Sequence, residues 1–157
     1  MSSPHEQIDM ALFERQVASI TEQLDVLWTG SDLPKSPPLG AVSGDERKQV
    51  VEEVLNQIYE DATKGDGAAL GSKDEIRAAA LKARTALQTP PTRAVICRAL
   101  HPVATKGSRE MALEITKFCL PLAIAGQIAV PVSALVWGIL GFAVATIGVV
   151  WLCGDEN

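Results

Sequence analysis

Few side chains in this sequence can do acid–base, nucleophilic or metal chemistry. The 157-residue chain holds two histidines and three cysteines. His101 follows Cys97 by four residues, so the two share one helix face. That spacing suits a pair of metal ligands or a thiol–imidazole dyad. A zinc site needs further ligands, and a dyad needs a third orienting group. Neither is visible, and no CxxC pair supplies a zinc half-site. Cys97 reads instead as a buried residue, and His101 as a helix-end imidazole facing the last carbonyls. His5 falls in a first helical turn, on an exposed end. Cys119 and Cys153 flank an apolar block, where either can take a fatty acyl group at a membrane interface. No Walker loop, GxGxxG, HExxH or GxSxG segment occurs. Gly65, Gly67 and Gly71 read as turn residues. The expectation is a protein that is not an enzyme, with no catalytic residues, no metal site and no cofactor.

Composition narrows the class. Apolar residues make up 47%, aromatics 4% and charged residues 21%, with a net charge of −5. That is too apolar for a disordered chain, and the length suits one domain. Three cysteines are too few for a disulfide scaffold. The acidic balance argues against nucleic acid as a partner. The basic segment also lacks an aromatic residue to stack a base.

The distribution is uneven. Phe118–Cys153 spans 36 residues without one Asp, Glu, Lys or Arg. Its strongly polar side chains are Gln127, Ser133 and Thr146. Apolar runs of this length mark membrane spans. As helix, 36 residues reach roughly 54 Å, against about 30 Å of hydrocarbon. The block is too long for one upright span and short for two. Pro121 and Pro131 are available breaks. The leading reading is a single span, about Pro131 to Cys153, with Phe118–Val130 at the interface or entering obliquely. A tight hairpin turning near Val130–Ser133 is the second. The third buries the segment as a very apolar helix in a soluble oligomer. Trp137 and Trp151 are candidate membrane-interface aromatics. Lys106, Arg109 and Lys117 precede the block and Asp155 and Glu156 follow it. The positive-inside tendency therefore places the N-terminal region in the cytoplasm.

The last span carries a seam of small residues. Ala134, Gly138, Gly141, Ala145 and Gly148 are spaced 4, 3, 4 and 3 apart. Such a seam allows close backbone approach, which drives association between spans in lipid. Self-association, and hence a homo-oligomer, is expected.

The elements before the block read as helices. Three Ser-x-x-Glu capping boxes occur, Ser3–Glu6, Ser43–Glu46 and Ser72–Glu75, each ahead of an apolar 3.6-residue period. Helix one runs from about Pro4 to Trp28. Its apolar face, Ile8, Leu12, Phe13, Val17, Ile20, Leu24 and Leu27, is a candidate docking face for a protein partner. Helix two runs from about Gly44 to Lys64, and helix three from about Lys73 to Gln88. A short helix, about Thr92 to Leu100, comes next, and Ser108 opens the last one. No stretch alternates with a period of two. The fold class is all-α, a small helical bundle followed by a C-terminal transmembrane helix or short helical hairpin. The segments are 1–30, a long amphipathic helix; 31–43, a Pro-rich linker; 44–117, a cytosolic helical domain; 118–153, the apolar membrane segment; and 154–157, a short acidic tail.

Charge divides along the chain. Residues 1–75 hold 6 basic and 15 acidic side chains, residues 76–117 hold 8 and 2. Within the basic part, Arg93, Arg98, Lys106, Arg109 and Lys117 form a candidate collar against lipid headgroups, where each cation adds about 1 kcal/mol near an anionic bilayer. Pairing with the acidic half is the competing reading. The functional expectation is a membrane-anchored, self-assembling scaffold or adaptor. The alternatives are a membrane-perturbing or pore-forming effector and a soluble helical oligomer.

Overall fold

A computed structural model describes residues 9–29, 44–64, 70–103 and 106–153. His5, Ile8, the Ser3–Glu6 box, the 31–43 linker, Ser43, Gly65, Gly67 and the 154–157 tail lie outside the described residues. Those described form α1 (Met10–Leu27), α2 (Gly44–Thr63), α3 (Lys73–Gln88) and α4 (Pro90–Leu100). A 3-10 turn (His101–Val103), α5 (Ser108–Ile124), α6 (Ala134–Ile147) and α7 (Val149–Cys153) follow, with no strand among them. The all-helical class holds.

Local chemistry explains the boundaries. The Asp9 carboxylate caps α1 by accepting from Leu12 N at 3.1 Å. At α3 the expected capping box is complete. Ser72 Oγ accepts from Glu75 N, and Glu75 Oε1 accepts from Ser72 N, each at 3.1 Å. Both α3 termini fall where the sequence places them. Helix α4 begins two residues earlier than expected, at Pro90. A proline in the first turn gives up an N–H that has no intrahelical acceptor there. Helix α5 passes through Pro121 and ends at Ile124. Pro121 is exposed and lies in the last turn, where the helix tolerates its missing N–H.

A Schellman motif then closes α5. Gly126 takes φ +78°, its N–H reaches Ala123 O at 3.1 Å, and Gln127 N reaches Leu122 O at 2.8 Å. The chain doubles back and enters α6 after Ser133. The reversal falls near the position of the hairpin reading, and α5 packs against α6.

Helix α6 is the axis of the molecule. Helices α1, α2, α3 and α5 all pack against it, while α4 packs on α5 and α3 and receives α7. Every residue from Val136 to Val144 is buried. The closed state therefore lacks the span of the leading reading of the apolar block. No helix among the described residues is long and apolar enough to cross a membrane. The stretch expected as one span is instead broken at Gly148 into 14- and 5-residue helices. A helix apolar on all sides must be buried somewhere. Here four helices of its own chain bury it.

A polar clasp ties the end of α1 to α2. The buried Asp61 carboxylate accepts from Thr29 N and Thr29 Oγ1 at 2.8 Å each, and from Gln57 Nε2 at 3.0 Å. These neutral donors satisfy a charge that burial alone would penalise.

Candidate functional site

The feature that sets this chain apart is the sheath around α6 and the way its C-terminal end is tied back. Two glycines allow the closest approaches. A Cβ built on Gly141 would lie 2.2 Å from Ala112 Cβ and 2.5 Å from Ala112 Cα on α5. A Cβ on Gly138 would lie 2.4 Å from Ile20 Cγ2 on α1. The small-residue seam is thus occupied inside the chain: Gly138 seats α1 and Gly141 seats α5. Ala134 and Ala145 are half-buried, and Gly148 is the α6 C-cap.

The tryptophans also sit differently from the expectation. Trp137 is fully buried, and its indole Nε1 donates to Pro131 O at 2.8 Å. It therefore belongs to the protein core in this state and marks no lipid interface. Trp151 is half-buried in α7. Trp28, at the end of α1, meets Phe142 edge-to-face with centroids 5.5 Å apart.

The candidate docking stripe of α1 faces α6 and α5. Phe13, Val17 and Leu24 are buried, Ile20 rests on Gly138, Leu27 is half-buried and Leu12 is 46% exposed. An amphipathic face is apolar whether a partner or its own chain covers it. Here α5 and α6 do so.

At the far end of α6, Gly148 adopts φ +91° and ψ 144°, a region open essentially to glycine. The bend turns α7 onto α4, where Cys153 forms a disulfide with Cys97 (Cα–Cα 5.8 Å, 56 residues apart). The covalent loop encloses all of α5 and α6. This bond overturns the thiol–imidazole and metal readings of Cys97, and His101 lies exposed in the 3-10 turn. It also removes Cys153 as an acyl acceptor. Cys119 is free but buried, and burial pushes its thiol up to about 12, against a smaller lowering by Arg98. An acyl chain has no access to it in this state. Among the described residues no group of three or more His, Cys, Asp and Glu gathers to hold a metal.

The basic collar is dispersed. Arg98, Lys106, Arg109 and Lys117 are exposed on α4, α5 and the turn between them. Arg109 Nε lies 3.7 Å from Glu22 Oε1 of α1, an exposed pair that contributes little stability. Arg93 is half-buried beside a cavity of about 320 Å³ that it lines with Arg47, Lys48 and Gln88. Arg47 and Arg93 already have interaction partners. Elsewhere Arg77 Nη2 donates to Tyr59 Oη at 2.9 Å, with its guanidinium over the ring. Some of the basic segment is thus engaged with the acidic half of the chain.

Sequence reasoning missed the disulfide and the Gly148 bend. Nothing in the spacing of three cysteines pairs Cys97 with the chain's last cysteine. A heptad of small residues equally suits packing within a chain and between chains. No protein-family model, curated protein or solved structure matches this chain.

Proposed function

We propose that this is a non-enzymatic effector that carries an apolar helix concealed in a water-compatible bundle and delivers it to a membrane. The observation that carries the reading is α6: a helix without a charged side chain, apolar on every face, enclosed by amphipathic helices of its own chain. Such a helix has two favourable environments, a protein core and a bilayer. From Ala134 to Cys153 the sequence holds ten Leu, Ile, Val and Phe residues, each favouring mid-bilayer by about 0.3–0.6 kcal/mol. The sheath is a replaceable partner, since its apolar faces can turn to the lipid surface with their polar faces in water. The exposed cations Arg98, Lys106, Arg109 and Lys117 are available to anionic headgroups. Once α6 leaves, Gly138 and Gly141 lose Ile20 and Ala112 and present a small-residue face to neighbouring spans, so that copies assemble in the membrane.

A second reading is favoured by the length of α6, which at 14 residues reaches only about 21 Å. On that reading the bundle stays closed and α6 is simply its core.

The test adds full-length protein to vesicles of phosphatidylcholine and phosphatidylglycerol loaded with a self-quenching dye. One sample is added folded, and another is opened in urea with dithiothreitol, which also breaks the Cys97–Cys153 bond, and diluted into the vesicles. The effector reading expects the folded sample to leave vesicles sealed. The opened sample releases dye and resists carbonate extraction. Recovery of the opened sample in the aqueous phase, with dye retained, would leave the closed-bundle reading standing.

A further inference from the structure

The bent, covalently tied end of α6 points to how the proposed delivery is controlled, and this inference rests on that reading. We propose that the Cys97–Cys153 disulfide is a redox clamp that holds the apolar segment in a form too short to span a bilayer, and that its reduction by a dithiol releases it.

Three independent features meet here. The first is length. Helices α6 and α7 are separated by Gly148 alone. Joined, Ala134–Cys153 is one 20-residue helix of about 30 Å, matching the hydrocarbon thickness. Bent, the longer piece has 14 residues and is too short. The second is the joint. A Cβ on Gly148 would meet nothing within 4 Å, so no packing demands a glycine there. The positive φ of the bend demands it, and a glycine also accepts the helical φ of the straight form. The third is the tether. A straight Ala134–Cys153 helix carries Cys153 away along the helix axis, while the disulfide keeps it 5.8 Å from the Cα of Cys97 on α4. The bonded state therefore excludes the spanning form, and the reduced state permits it. That is the differential effect a switch requires.

Cys97 and Cys153 are each 8% exposed, against 0% for Cys119, so a thiolate of an external dithiol attacks one sulfur of their bond at this edge of the core, and the other cysteine leaves as thiolate and takes a proton. The second thiol of the reductant then attacks the mixed disulfide. Two electrons and two protons reach Cys97 and Cys153, and the dithiol becomes a disulfide. The reductant comes from outside the chain, because Cys119 is buried and its thiol stays protonated at neutral pH. Oxidising compartments preserve such a bond, and thiol systems of reducing ones remove it. Passage between them is the signal the clamp reads.

The experiment uses the full-length oxidised protein, the same vesicles and dithiothreitol as the dithiol. The clamp predicts sealed vesicles before reduction and at least a tenfold faster dye release after it, with the protein carbonate-resistant. The Cys97→Ser/Cys153→Ser variant gives the same release without reductant. Gly148→Ala, which disfavours the bend, raises release further in the reduced protein. Circular dichroism and limited proteolysis without vesicles are expected to show α1–α3 still folded after reduction. If the reduced protein and the double variant leave vesicles sealed while urea-opened protein breaches them, the clamp is wrong and the effector reading survives. If urea-opened protein also leaves them sealed, both fall. Loss of α1–α3 on reduction likewise overturns the clamp, because the bond would then be a general fold staple.

Discussion

Helices α3 and α6 lie against each other and solve opposite problems. Helix α3 has one apolar face. Ile76, Ala79, Ala80, Ala83 and Leu87 point inward, while Lys73, Asp74, Arg77 and Lys82 are exposed. Its ends are set by a complete capping box and by Thr89 ahead of two prolines. Such a helix has one stable orientation in water, and it needs a neighbour to fill the other side. Helix α6 has no polar face to orient it and no capping side chain at Ser133. Its placement is decided wholly by its neighbours, through Ile20 at Gly138, Ala112 at Gly141 and Trp28 at Phe142. An amphipathic helix thus encodes its orientation. An all-apolar helix encodes only that it must be covered.

The largest loss is expected at the centre of α6. Trp137→Ala removes the largest buried side chain of α6 and its hydrogen bond to Pro131 O. A loss of about 3–5 kcal/mol is expected in denaturant unfolding. Gly141→Ala comes next, because its Cβ would collide with the Ala112 Cβ and backbone, which cannot move aside alone. About 1–3 kcal/mol is expected. Gly138→Ala meets Ile20 Cγ2 and, at 2.7 Å, its Cβ, which moves only with α1, so a cost in the same range is expected. A negligible cost at either glycine would contradict the packing described. At the edge of the shell, Asp61→Ala leaves Thr29 N and Oγ1 without their acceptor, for about 1–3 kcal/mol. The smallest effect belongs to the α3 boundary, where Ser72→Ala removes one cap bond for about 1 kcal/mol. Thiol labelling sharpens the same contrast without mutation. Native Cys119 should resist an alkylating agent at pH 8, since burial holds its thiol near 12, and should react once the bundle is unfolded.

Legibility in the sequence follows the same division. The boundaries of α3 and the end of α2 near Lys64 were readable because capping boxes and 3.6-residue periods are local. The α1 stripe was readable as apolar, but its partner was not, because α5 and α6 lie far along the chain. The charge-free block was visible at once, yet composition does not distinguish a bilayer from a bundle interior. Trp137 illustrates the limit. Its type suggested a headgroup interface, whereas its indole finds Pro131 O six residues away in the turn before its own helix. By spacing Gly148 fits the seam as its fifth member, whereas its positive φ depends on where α7 is pulled by Cys97.

The surroundings of Trp137 itself report most directly whether α6 moves from protein to lipid. In a Trp28→Phe/Trp151→Phe variant, Trp137 is the sole tryptophan and sits at the centre of the sheath. Its fluorescence is measured with vesicles whose acyl chains are brominated, for the folded oxidised protein and again after opening. No quenching is expected for the closed bundle, and strong quenching once α6 has moved into hydrocarbon. An indole that stays unquenched after opening, by urea with dithiothreitol and by dithiothreitol alone, would show that α6 never leaves protein surroundings for lipid.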